Sequence, residues 1–99
     1  MASGKTIDGI KVNVTVDDLD DYDIAETLAI IAEADEPGEK SPEFQVEFMK
    51  AAYTLPKMIF KNDWKRIKGE LRAKNDGNLP NSVVFEFVNK VMTAVGSKN

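Results

Sequence analysis

Only one stretch of the chain alternates apolar and polar positions with a period of two. Ile10, Val12, Val14 and Val16 alternate with Lys11, Asn13 and Thr15, which predicts a strand with one apolar face. Asp8-Gly9, just before it, is a favoured two-residue hairpin turn, because glycine accepts positive φ without strain. A short β-hairpin is therefore expected over residues 6–16. Its first arm is short, so the seven residues from Ile10 to Val16 outrun their partner. The unpaired backbone groups then need solvent, a neighbouring loop or another subunit.

Everything after the strand follows helical periods. Asp17-Asp18-Leu19-Asp20-Asp21-Tyr22-Asp23 breaks the strand, and its carboxylates suit the free N–H groups and positive dipole end of a helix start. No register of these acids supplies the sixth-position glycine of a calcium loop, so capping is the expected role. The first helix is predicted from Tyr22 to Ala34, with Ile24, Leu28 and Ile31 on one stripe. Ala25 and Ala32 lie beside that stripe, where small side chains admit a neighbouring helix. Residues 35–42 hold two prolines, a glycine and no apolar residue, and read as a loop. Ser41 is a suitable cap and Pro42 a tolerated first residue for the second helix. Phe44, Phe48, Ala51 and Leu55 form its stripe. Pro56 predicts a kink or an end near Leu55, since proline removes a donor and crowds the preceding turn.

The stretch from Asn62 to Val95 reads as helix, turn and helix. Asn62 or Asp63 is expected to cap the third helix, in which Trp64, Ile67 and Leu71 face inward. Glu70 and Lys74 are spaced as an i,i+4 ion pair. Asn75-Asp76-Gly77-Asn78 ends the helix, because Asn and Gly tolerate the left-handed conformation. Leu79-Pro80-Asn81-Ser82 opens the fourth helix. There Phe85, Val88, Met92 and Val95 are the expected buried stripe, and Val84, Phe87 and Val91 widen it. A stripe that wide predicts burial on two sides, the second by another subunit. The fold class is mainly α with a short N-terminal β-hairpin (α+β), about four helices around one small core. A single domain over 1–99 is expected, with 1–5 a flexible tail and 20–95 the helical part. A chain of this length buries roughly 65% of its unfolded surface, enough for a modest core.

Composition narrows the chemistry. Histidine and cysteine are absent, which removes imidazole bases, thiol nucleophiles, disulfides and ordinary zinc sites. Gly4-Lys5-Thr6 imitates the end of a phosphate-binding loop but lacks the upstream glycine and strand. No catalytic, cofactor or metal site is expected. An enzyme would have only carboxylates, Lys57 and Tyr22 or Tyr53 to use, and no clustering favours any of them. No apolar run is long enough to span a bilayer, and the opening residues lack a secretion pattern.

Charge is distributed unevenly. The net charge is −4, yet residues 17–39 hold ten acids and no Lys or Arg, while residues 57–74 hold seven basic residues and two acids. These segments are two solvated faces, or pack together, or meet between subunits. Lys61, Lys65, Lys68 and Arg72 repeat at helical spacing and form a basic stripe. As a nucleic-acid site the stripe lacks interleaved exposed aromatics and an overall positive charge. A solvated face is favoured, with a docking face for an acidic protein next.

A further pattern runs from about Ile10 onward. Asp20-Asp21-Tyr22-Asp23 opens a helix that ends in Ala32-Glu33-Ala34-Asp35, and a variable loop and an apolar helix follow. Next come the basic amphipathic Trp64-Lys65-Arg66-Ile67-Lys68-Gly69-Glu70-Leu71 and the turn Asp76-Gly77-Asn78-Leu79-Pro80. This order resembles the small tail assembly chaperones of long-tailed (siphovirus) phages of Gram-positive bacteria. It departs from them at Lys61-Asn62-Asp63, where a Gly-Glu-type pair is expected.

The resemblance implies a non-enzymatic viral morphogenesis role in the host cytoplasm. It implies binding to the tape-measure protein and the major tail protein, and absence from the mature virion. It also implies that this chain is the shorter of two frameshift products. A homo-oligomer is expected. Val84, Phe87, Val91, Lys61, Lys65, Lys68 and Arg72 are the candidate partner-binding residues, chosen on physical grounds. The competing expectation is a small regulatory module, of antitoxin or repressor-accessory type, using the basic helix 57–74 on protein or nucleic acid.

Overall fold

Asp8 and Gly9 both take positive φ, 53° and 81°, the two-residue turn whose twist matches that of paired strands. It joins β1 (Lys5–Ile7) to β2 (Ile10–Val12), antiparallel with Lys5 opposite Val12, Thr6 opposite Lys11 and Ile7 opposite Ile10. The computed structural model describes residues 5–96. The expectations for Met1 to Gly4 and for Ser97 to Asn99 lie outside the described residues. Lys5, expected in a tail, is part of β1.

The predicted strand is shorter than its alternation. Ile10, Val12 and Val14 are all buried, but pairing stops at Val12, and Val16 is exposed. The reason lies at Thr15. Its hydroxyl accepts a hydrogen bond from the Asp18 amide at 3.2 Å, while the Asp18 carboxylate accepts from the Thr15 amide at 2.9 Å. This capping box starts a single-turn helix, α1 (Val16–Leu19), and draws the chain out of the strand.

α2 (Tyr22–Ala34) has the predicted bounds. Asp21 caps it, accepting from the amides of Asp23 and Ile24 at 2.8 and 3.3 Å. Ile24 is buried and Leu28 and Ile31 are half-buried, whereas Ala25 and Ala32 face solvent and admit no neighbouring helix. The chain folds back along α3 (Pro42–Phe60), where Ser41 caps the Phe44 amide at 3.0 Å and Pro42 is the first residue.

α3 passes through Pro56 without ending, contrary to the local expectation. Proline in a helix interior costs about 3 kcal/mol, but Pro56 is flanked by buried Ala52, Leu55, Ile59 and Phe60. Burying those side chains on both sides of the proline outweighs one missing hydrogen bond. The helix stops at Lys61, whose φ is 54°. A 3-10 turn (Lys61–Asp63) then leads directly into α4 (Trp64–Lys74). Neither Asn62 nor Asp63 caps α4. Asp63 has helical backbone angles inherited from the 3-10 turn, and its carboxylate pairs with Arg66 instead.

Trp64, Ile67 and Leu71 are buried as expected. After α4, Asp76 and Gly77 both take positive φ, and the Gly77 amide donates to the Arg72 carbonyl at 2.7 Å, a left-handed termination of the helix. α5 (Asn81–Gly96) follows Pro80, whose carbonyl accepts from the Val83 and Val84 amides. Its buried residues are Val84, Phe87, Val88, Val91 and Val95. Phe85 and Met92, expected at the centre of the stripe, are half-buried at its edge.

The architecture is thus four long helices and a two-stranded hairpin around one core. That core joins the hairpin, the C-terminal half of α3, α4 and α5. Phe60 is its hinge, stacked on Trp64 at 5.6 Å and tilted against Phe87 at 5.9 Å. α2 and the first half of α3 contribute little to it: Ile24 is the one buried residue of α2, and α3 has none before Ala51. The helical hairpin therefore leaves the core at one end with its apolar stripe half covered.

Candidate interaction surfaces

The first surface is that half-covered stripe. Leu28 and Ile31 of α2, Phe48 and Leu55 of α3, and Phe85, Val88 and Met92 of α5 line a groove of about 310 Å³, with Asp35 and Asn89 as its polar members. Phe48 and Phe85 meet across it with ring centroids 6.0 Å apart. On the other side of Phe48, Ala34, Phe44 and Met49 line a second depression of about 350 Å³, with Lys40 and Gln45 as its polar members. Met49 is 66% exposed. The two hollows share Phe48 and form one apolar trough. The border of the trough carries one acid, Asp35 at the end of α2, and one base, Lys40.

Val84, Phe87 and Val91 are not part of this or any free surface. They are buried in the chain's own core, Val91 completely so. The wide stripe of α5 is covered within the same chain, by α3, by α1 and by β1 of the hairpin. What remains open is the edge carrying Phe85 and Met92. The seven-residue separation of these two placed them on one face. Which edge of a broad stripe stays uncovered depends on where the other helices lie.

The second surface is basic. The stripe Lys61, Lys65, Lys68 and Arg72 is divided by its neighbours. Lys61 lies before α4 and reaches Asp18 at 3.5 Å. Lys65 is exposed on α4. Lys68 and Arg72 border a depression of about 160 Å³ whose wall includes Tyr53, Pro56, Trp64, Leu79, Asn81 and Val84. Tyr53 is 68% exposed, and the Lys57 ammonium sits over its ring, 3.9 Å from the centroid, a cation–π contact. The nearby Lys57 ammonium holds the Tyr53 phenol below its usual range, with Lys68 adding a further pull against desolvation. The one aromatic of α4, Trp64, is buried, and an exposed aromatic beside the basic stripe is supplied by α3. The Tyr53 to Lys57 spacing was the available signal, but their relation to Lys68 and Arg72 is tertiary.

Arg66 explains why these cations are left over. It binds Asp63 at 2.7 Å and Glu70 at 2.6 Å, and donates to the Lys11 carbonyl of β2 at 2.6 Å. Both acids of the basic segment are occupied by this one guanidinium, whose planar fork reaches several acceptors at once. The expected Glu70–Lys74 pair is therefore not formed, and the Lys74 ammonium lies near Gly9 of the hairpin turn. Among the described residues, Asp18–Lys61 is the sole ion pair joining the acidic segment to the basic one. The two segments do not neutralise each other within the chain.

No described polar side chain is buried, and the described residues contain no cluster of three acidic side chains placed to hold a metal. Among the described residues no helix is long and apolar enough to cross a membrane. No protein-family model, curated protein or solved structure matches this chain.

Proposed function

We propose that this chain is a non-enzymatic tail assembly chaperone of a long-tailed phage. In this reading it binds the tape-measure protein and the major tail protein in the host cytoplasm during tail morphogenesis, self-associates, and leaves before the virion is complete. The sequence resemblance supplies the family. The supporting structural observation is the apolar trough between α2, α3 and α5. A tape-measure protein is a long amphipathic helix whose apolar stripe needs cover before the tail tube encloses it. The apolar stripe of such a helix fits an apolar trough with Asp35 and Lys40 at its border. The trough is open and shallow, which suits a cover that must come off again.

The test is co-purification with a fragment encoded by the very long helical reading frame expected next to this gene. The wild-type chain is expected to retain the fragment. Leu28→Asp and Phe85→Ser should weaken retention at least tenfold with an unchanged circular dichroism spectrum. Failure of the wild-type chain to retain any such fragment would remove the chaperone reading. The competing reading, a small nucleic-acid-binding module, draws on Tyr53 among Lys57, Lys68 and Arg72. It predicts retention of duplex DNA that fades with salt. The net charge of −4 opposes it.

A further inference from the structure

We infer that the basic, aromatic patch of Tyr53, Lys57, Lys68 and Arg72 docks the acidic α2 entrance of a second copy of this chain, with Tyr22 as its anchor. The inference gives the self-association in the proposed function two named faces, and it stands or falls apart from tape-measure binding.

The patch is built from two elements that keep its charges free. Asp63 and Glu70 are both held by Arg66, so the patch cations have no acid partner among the described residues. Its floor is apolar, formed by Pro56, Trp64 and Leu79. A surface that combines a hollow apolar floor with unpaired cations fits an acidic segment that also carries an aromatic side chain.

The chain contains such a segment. Asp20, Asp21 and Asp23 surround Tyr22, which is 79% exposed. Of these acids only Asp21 has a structural task, as the cap of α2. Asp20 and Asp23 are exposed at the entry to α2; Asp23 shares a depression with Lys50 of α3, and neither acid is in an ion pair among the described residues. The two surfaces do not reach each other within one chain. α2 packs against the face of α3 that carries Ala51, Thr54 and Met58, whereas Tyr53 opens on the α4 side. A contact between different surfaces of identical copies closes as a reciprocal pair when both contacts form at once, and otherwise continues into a ring or a filament. Because the charges are exposed, the association depends on salt.

Charge reversal tests this with the full chain. Light scattering of the wild-type protein should show assemblies larger than a monomer at low salt, with association about tenfold weaker near 0.5 M salt, where screening is strong. Lys68→Glu with Arg72→Glu should give a monomer, because both surfaces are then acidic. Asp20→Lys with Asp23→Lys should also give a monomer, because both are then basic. Mixing these two variants should restore assembly, since every contact in the mixture again joins opposite charges. Tyr22→Ser should weaken association with no change of charge. Asp21 is left intact so that α2 keeps its cap, and unchanged circular dichroism establishes that each variant folds.

A wild-type monomer at low salt and high concentration overturns the inference. So does assembly that survives either double reversal, or two reversed variants that fail to combine. Patch-dependent retention of duplex DNA without self-association would assign the surface to nucleic acid instead. Leu28→Asp and Phe85→Ser alter the trough and should leave self-association intact, so loss of tape-measure binding and loss of this contact are read separately.

Discussion

Thr15 and Asp18 exchange two hydrogen bonds at the point where the chain leaves the sheet and begins its helices. The Asp18 carboxyl is held below its ordinary value of 3.8, first by the Thr15 backbone amide, which outweighs desolvation, with the Thr15 side chain and Lys61 adding to the lowering. A carboxyl whose folded pKa is depressed adds stability that is present above its unfolded value and lost as pH falls through the folded one. The bond from the Thr15 amide to the Asp18 carboxylate is therefore intact near neutrality and is lost only as pH falls below the ordinary carboxyl range, which an NMR titration of the Asp18 carboxyl and the Thr15 amide would follow. Thr15→Ala removes one half of the box and is expected to cost about 1 kcal/mol in urea denaturation. The capping potential of Asp18 was visible in its spacing from Thr15. It was masked by the stronger alternation of Ile10 to Val16, because a period-two pattern continues until some local bond competes with it.

Among the elements, the ends were more legible than the interiors. Asp8-Gly9, Asp21 and Ser41 act where their local chemistry places them, since a turn or cap needs only a few adjacent residues. The turn between α4 and α5 belongs to this group. Gly77 has φ of 85° and no side-chain neighbour in its way, so Gly77→Ala is strained by its backbone alone. It should lower stability by about 1 kcal/mol, measured as a shift of the urea midpoint at unchanged slope. Pro56 and Asp63 went the other way. Proline carries a local penalty that burial in the core overcame. Asp63 has a capping side chain but lost the extended backbone a cap needs, because a 3-10 turn precedes it. In both cases the deciding interaction is with residues outside the element.

On the scale of the whole molecule, one core and one open trough divide the apolar residues between stability and contact. Ile67 is fully buried where α4 meets the core, and Ile67→Ala should cost 2–5 kcal/mol, roughly the cost of cutting a core aliphatic to alanine. That is a large share of the ~5–15 kcal/mol available to a domain of this kind, so a sharp fall in thermal midpoint is expected. Phe85 is half-buried on the trough. Phe85→Ala should cost less stability than Ile67→Ala and more binding of an amphipathic helix. Equal losses of stability would show that the trough is simply part of the core.

The sequence by itself determined the hairpin, the bounds of α2 and the inward face of α4. These rest on short-range rules: turn chemistry, capping and a period of 3.6 residues. It also determined that acids and bases lie in separate segments. Only the tertiary structure decided which edge of α5 is covered, that Arg66 takes both acids of the basic segment, and that Tyr53 joins Lys68 and Arg72. Periodicity tells which side chains share a face of one helix. The cover over that face comes from residues distant in the chain, and their positions follow from packing the whole core at once.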